Sequence, residues 1–225
     1  MTTPVAPWTL RGETIVALAR CPEVPGELPD GIRRVPGPAL VVANRYVDSP
    51  VGPYLELAVG CFARMGMRPG WCFTTVVVDS VEARRGGQLN WGFPKEVGRL
   101  LWVADGDERE LRWVDRDICV RGTPTRHLPP FLIPLRALQH RGDGPVVVPG
   151  RVAGRARLAN VTVYAPQDDP LALLAGRHRG AHINGMRLVV RPARKPVGVA
   201  STLLAPLRAP EPALSSTPSG RLAQR

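Results

Sequence analysis

Lysine is almost missing from this sequence. Of 30 lysines and arginines in 225 residues only Lys95 and Lys195 are lysine, so side-chain amine chemistry is confined to two positions. Aromatic residues make up only 5% of the chain, and no stretch reaches the roughly 20 uninterrupted apolar residues of a membrane-spanning helix. The first residues, "MTTPVAPWTLRGET", lack the basic and apolar regions of a secretion signal, which leads us to expect a cytoplasmic protein. The four cysteines, Cys21, Cys61, Cys72 and Cys119, contain no C-x-x-C pair and so exclude the common zinc and redox spacings. They are expected to sit reduced in or near the core.

What is abundant is punctuation. With 25 prolines and 23 glycines the chain favours many short strands over long helices. Strand-like segments bounded by Gly, Pro or Asp fall at 13–20, 39–46, 54–62, 71–79, 99–105, 109–115, 117–123, 154–165 and 186–193. Several alternate apolar and polar residues, as strands with one wet face do. "ERELRWVDRDICVRG" suggests a hairpin turning near Asp115 to Asp117. Ser80 caps an expected short helix over "VEARRGG", ended by Gly86-Gly87, and Asp168 or Asp169 caps another over "PLALLAGRH". Many strands with few helices predict a mainly β, antiparallel barrel or sandwich. One domain is expected over residues 1–200. Residues 201–225, rich in Pro, Ala and Ser, are expected to be a disordered tail.

The net charge of +11 invites a nucleic-acid partner. The arginines are nevertheless scattered, without interleaved aromatics for base stacking and without a helix-turn-helix or RNP pattern, so none is expected. His178 and His182 have metal-ligand spacing for a helix, but Gly176, Gly180 and Gly185 argue against a helix there and no third ligand is evident. No metal is expected.

Two stretches carry a family resemblance. "YVDSPVGPYLELAV" (46–59), followed some forty residues later by "GQLNWGFPKEVG" (87–98), resembles the acetoacetate decarboxylase family, in which a Y-x-x-S-P-x-G-P-Y-x-E segment precedes an aromatic-Pro-Lys segment holding a Schiff-base lysine. "LRGETIVALAR" near the start and "RLVVRPARKPVG" near the end are similar to that family's first and closing strands, so the likeness spans roughly residues 8–200.

The resemblance implies an acetoacetate decarboxylase-like barrel that uses no cofactor, acts on a small keto acid and assembles as a homo-oligomer. It implies Lys95 as nucleophile, Glu56 as pocket carboxylate and Arg11 as substrate-carboxylate ligand; around the lysine, Trp91, Phe93, Pro94 and Val97 are suitable wall material for an apolar pocket, with Trp91 and Phe93 expected to contact substrate. The chemistry needs an amine, because only an amine can form an iminium that accepts electrons as carbon dioxide leaves. An ordinary lysine, with a pKa of about 10.4, is almost wholly protonated at neutral pH, so burial or a nearby cation must favour the neutral form; the handling of this lysine in acetoacetate decarboxylase is a known example of that tuning.

Two departures stand out. Characterised members carry a second lysine after the first, where this chain has Glu96, and a second pocket carboxylate falls on Val41 in ungapped register. They keep open an aldolase or dehydratase using the same lysine, and a non-catalytic barrel that binds small molecules. Glu56 lies between Leu55 and Leu57, so it is solvated if those leucines face a core backed by water, and functional if the opposite face lines a pocket.

Overall fold

The computed structural model describes residues 3–20, 25–142 and 144–196. Cys21, the last residues of the expected 1–200 domain and the expected tail at 201–225 lie outside them. Eleven strands follow in chain order: β1 (Trp8–Ala19), β2 (Arg33–Asp48), β3 (Tyr54–Met65), β4 (Arg68–Val78), β5 (Lys95–Val97), β6 (Leu100–Asp105), β7 (Glu108–Trp113), β8 (Ile118–His127), β9 (Phe131–Arg141), β10 (Gly144–Tyr164) and β11 (Gly176–Val190). The one α-helix among these residues, α1 (Val81–Trp91), sits between β4 and β5.

Seven strands close into a barrel in the order β11-β1-β2-β3-β4-β9-β10, because β11 pairs with both β1 and β10. All these pairings are antiparallel except the contact of β4 with β9. Strand β10 runs on past the ring and pairs with β8, which begins an arm of β8, β7 and β6. The arm folds over the outside of β1–β3. Leu111, Trp113, Ile118 and Val120 of the arm share one buried apolar cluster with Ile15, Val41, Leu57 and Val59 of the barrel. Gly122 permits the approach, since a Cβ there would lie 2.9 Å from Ile15.

Strands β1–β3 therefore have two buried faces. Odd-numbered Ile15, Val41, Ala43, Leu57 and Val59 pack toward the arm, while even-numbered Thr14, Val16, Val42, Asn44, Glu56 and Ala58 line the barrel interior. This is the period-two alternation of a pleated strand with apolar matter on both sides.

A charged network pins arm to barrel. Glu13 on β1 accepts from Arg109 on β7 at 3.1 Å, Arg45 on β2 at 3.0 Å, and pairs with His182 on β11 at 3.1 Å. Burial alone would raise the Glu13 carboxyl, but these partners outweigh it and hold the group at about 2. A carboxyl whose pKa is lower folded than unfolded contributes stability above the unfolded value and loses it as pH falls. Thermal melts should thus show stability declining between about pH 4.5 and 2, and Glu13→Gln should flatten that decline.

The segments read from the sequence correspond to strands, and the turn near Asp115 is a 3-10 turn (Val114–Arg116) followed by Asp117 at φ 50°. Three expectations are corrected. Strand β9 was not anticipated, its start being dressed with Pro129, Pro130 and Pro134. The segment after Asp169 forms a single 3-10 stretch (Pro170–Leu174), after which the chain enters β11, so His178 and His182 lie on a strand. Helix α1 runs through Gly86-Gly87 and stops only at Gly92, which adopts φ 72°. Ser80 caps it as expected, accepting from the Ala83 amide at 3.1 Å. Cys61 and Cys72 are free and buried, and Cys119 is free and half-buried. No helix of the described residues is long and apolar enough to cross a membrane.

Candidate active site

The turn after α1 aims Lys95. The Gly92 amide closes the helix on the Gln88 carbonyl at 2.9 Å, and Phe93 donates back to Gly87 at 3.3 Å. A side chain at Gly92 would strike the His140 carbonyl, its Cβ only 2.0 Å away. Gln88 then holds the Lys95 carbonyl at 2.8 Å, while β5 pairs in parallel with β4, Lys95 opposite Val76. Alternation along β5 sends Lys95 inward and leaves Glu96 exposed. The neighbouring acid that the sequence set beside the amine is thus turned away from it.

Inside the barrel, Lys95 and Glu56 are 7% and 8% exposed, and the Lys95 Nζ stands 2.6 Å from the Glu56 Oε2. The other carboxylate oxygen accepts from Asn44 at 3.1 Å and from the Tyr46 hydroxyl at 3.3 Å. Asn44 lies directly opposite Glu56 across β2 and β3, and Tyr46 opposite Tyr54. Burial, and after it the charge of Glu56, pushes both phenols well above the ordinary tyrosine range, so each stays protonated. The ammonium also lies 5.3 Å from the centre of the Tyr54 ring. A carboxylate this enclosed must be hydrogen-bonded to be tolerated, and here both oxygens have partners.

This pair sits in the wall of a cavity of about 710 Å³ within the barrel. Trp91 and Phe93 line it, Trp91 fixed by a 2.8 Å bond from its ring N–H to the Arg191 carbonyl and by an edge contact with Trp8, whereas Pro94 and Val97 are exposed and do not form its wall. Arg11 is not brought to the site. It faces outward from β1 with its side chain 59% exposed, 3.8 Å from Asp48, beside a separate surface hollow. Its neighbour Leu10 takes the inward position. Val41 likewise points to the arm, with Leu40 and Val42 in the cavity.

Asn44, Tyr46 and Tyr54 were not assigned roles from the sequence. A lone asparagine in the apolar run "ALVVANRY" was the available signal for the first.

The two helix glycines now have a reason. A Cβ on Gly86 would lie 2.3 Å from the Trp8 ring, and one on Gly87 2.6 and 2.7 Å from the Lys95 Cδ and Cε. Gly87→Ala should lower the melting temperature, because displacing a side chain held in the buried Lys95–Glu56 pair costs more than the about 1 kcal/mol by which alanine favours helix over glycine. It should also push the lysine arm off its line, lowering the rate of amine adduct formation by about tenfold or more, as loss of orientation does.

The family model for acetoacetate decarboxylase (ADC) matches residues 3–116. Among solved structures, the acetoacetate decarboxylase of Legionella pneumophila subsp. pneumophila str. Philadelphia 1 is similar at TM-score 0.65 and 16% identity, over 86% of this chain and 89% of that one. An acetoacetate decarboxylase-like enzyme from Sphingomonas wittichii RW1 is similar at TM-score 0.60 and 16% identity, over 86% and 92%. The enduracididine biosynthesis enzyme MppR, complexed with the condensation product of pyruvate and imidazole 4-carboxaldehyde, is similar at TM-score 0.61 and 17% identity, over 85% and 89%. No curated protein matches the sequence.

Proposed function

The chain belongs to the acetoacetate decarboxylase family, and from that premise we propose that it is a Schiff-base lyase in which Lys95 forms an iminium with a keto acid and carbon dioxide is then lost. The observation that carries this reading is the buried 2.6 Å contact between the Lys95 Nζ and Glu56 at the wall of an apolar cavity.

Glu56 is placed to take a proton from the Lys95 ammonium, leaving a neutral amine whose lone pair adds to the ketone carbon. The same acid returns a proton to the carbinolamine oxygen, and water leaves to give the iminium. The bond to the carboxylate carbon then breaks, its electron pair moving into the iminium to give an enamine as carbon dioxide departs. Protonation of that carbon and hydrolysis restore the amine. Asn44 and Tyr46 keep Glu56 oriented toward Lys95 throughout. Exclusion of water by the aromatic walls strengthens each of these electrostatic contacts.

Borohydride added with β-keto acids from acetoacetate to its longer-chain homologues tests this: the expected result is a reduced adduct on the peptide containing Lys95, and its absence with every member of the series defeats the reading in favour of a barrel that only binds. A second reading is supported by the acid–amine contact, which equally suits proton movement at carbon in aldol condensation or dehydration, and by the condensation product bound to MppR. Carbon dioxide release from a β-keto acid favours the lyase; condensation of pyruvate with an aldehyde, without that release, favours the second.

A further inference from the structure

The cavity is far larger than the chemistry at Lys95 requires. Acetoacetate has seven non-hydrogen atoms; allowing each roughly the 30 Å³ that a water occupies in the liquid, it fills about 200 Å³. The cavity offers about 710 Å³, in the range of sites that enclose drug-sized ligands.

The surplus has a direction. Thr14, Asn44 and Glu56 face one another across β1, β2 and β3 and make a polar row beside Lys95. The next row along the barrel is Val16, Val42 and Ala58, and beyond it lie Leu40, Phe73 and Trp71. Leu40 is four residues from Asn44 on the same strand, roughly 13 Å at the rise of a β-strand, which is the reach of an extended tail of about eight to ten carbons. Nothing polar interrupts that path on these strands.

Charge cannot secure a small anion here. The charged residues in the described lining are Lys95, Glu56 and Arg136. Lys95 is taken up by Glu56, Arg11 lies outside the cavity, and Arg136 is exposed at the far end, donating to the Pro69 carbonyl at 3.1 Å. Affinity must then come from apolar area.

We infer that the substrate is a ketone or β-keto acid with a long apolar tail, its carbonyl at Lys95 and its tail lying past Val42 and Ala58 toward Leu40 and Phe73. This rests on Lys95 being the reactive amine. Burial of one methylene is worth about 0.8 kcal/mol, close to fourfold in affinity.

The test uses the full chain and a series of straight methyl ketones from butanone to octanone, trapped on Lys95 with borohydride, beside the blue shift of tryptophan emission produced by alcohols of the same lengths, since Trp8, Trp71 and Trp91 line the cavity. The expected result is a fall of roughly two orders of magnitude in the ketone concentration for half-maximal trapping across four added methylenes. Trapping whose half-saturation is flat or rises with length overturns the inference and leaves the amine chemistry standing. No trapping at any length, with alcohols shifting the emission at lower concentration as they lengthen, defeats the amine reading on which the inference rests and leaves only apolar selectivity. Neither trapping nor a length-dependent emission shift overturns both.

Discussion

Lys95→Ala is expected to abolish borohydride trapping and to lower turnover by at least about four orders of magnitude, because no other residue of the described cavity lining carries an amine that can form an iminium. Adduct mass on the Lys95 peptide and carbon dioxide release check the two halves of the statement. Trapping that survives would move the chemistry to another amine. The variant also has a folding cost. Removing one member of a buried pair leaves the other without its counter-charge, worth roughly 3–5 kcal/mol in the worst case. Asn44 and Tyr46 still donate to Glu56, which places the expected loss at the lower end. The double variant Lys95→Ala/Glu56→Ala should melt higher than the single one, since it removes the stranded carboxylate as well.

Glu56→Gln carries the second large effect. The amide keeps the shape and accepts one bond, but it can neither take a proton from Lys95 nor return one to the carbinolamine, and turnover should fall by about 10²–10⁴. Single-turnover trapping separates the steps: slow adduct formation with any later step unchanged assigns Glu56 to iminium formation. If Glu56→Gln turns over like the parent, the acid is merely a counter-ion. Tyr46→Phe gives a graded control. It removes one 3.3 Å donor while leaving the carboxylate, and about a tenfold decrease is expected from the loss of a bond to a charged group.

The barrel was legible in the sequence because each strand of β1–β4 announces itself by β-branched runs between turn residues. The amine was picked out by the resemblance of the proline-lysine segment to a family pattern and not by any local periodicity. Which way Glu56 faces was not legible, because Leu55 and Leu57 fit either answer. The strand has apolar neighbours on both sides, the arm against Leu57 and the cavity around Glu56. A helix read to its first glycine stopped too early, since Gly86 and Gly87 serve Trp8 and Lys95 from across the fold, contacts no local pattern records. Arg11 was matched by its surrounding letters, but bulges at Arg11/Gly12 and Gly12/Thr14 disturb the register of β1 there, and the arginine emerges on the outside. Strand β9 hid behind prolines that pairing with β10 accommodates.

The alternation along β1–β3 separates two tasks that share one backbone. Val42 can change size and alter what fits beside Lys95 while Val41 and Ala43 go on gripping the arm. Substrate preference is therefore free to diverge one inward side chain at a time on an unchanged frame. Deletion of a single residue within the paired run Leu40–Tyr46 of β2 has the opposite character: past that point it would turn the packing surface into the chamber and the chamber into the packing surface, and neither would survive.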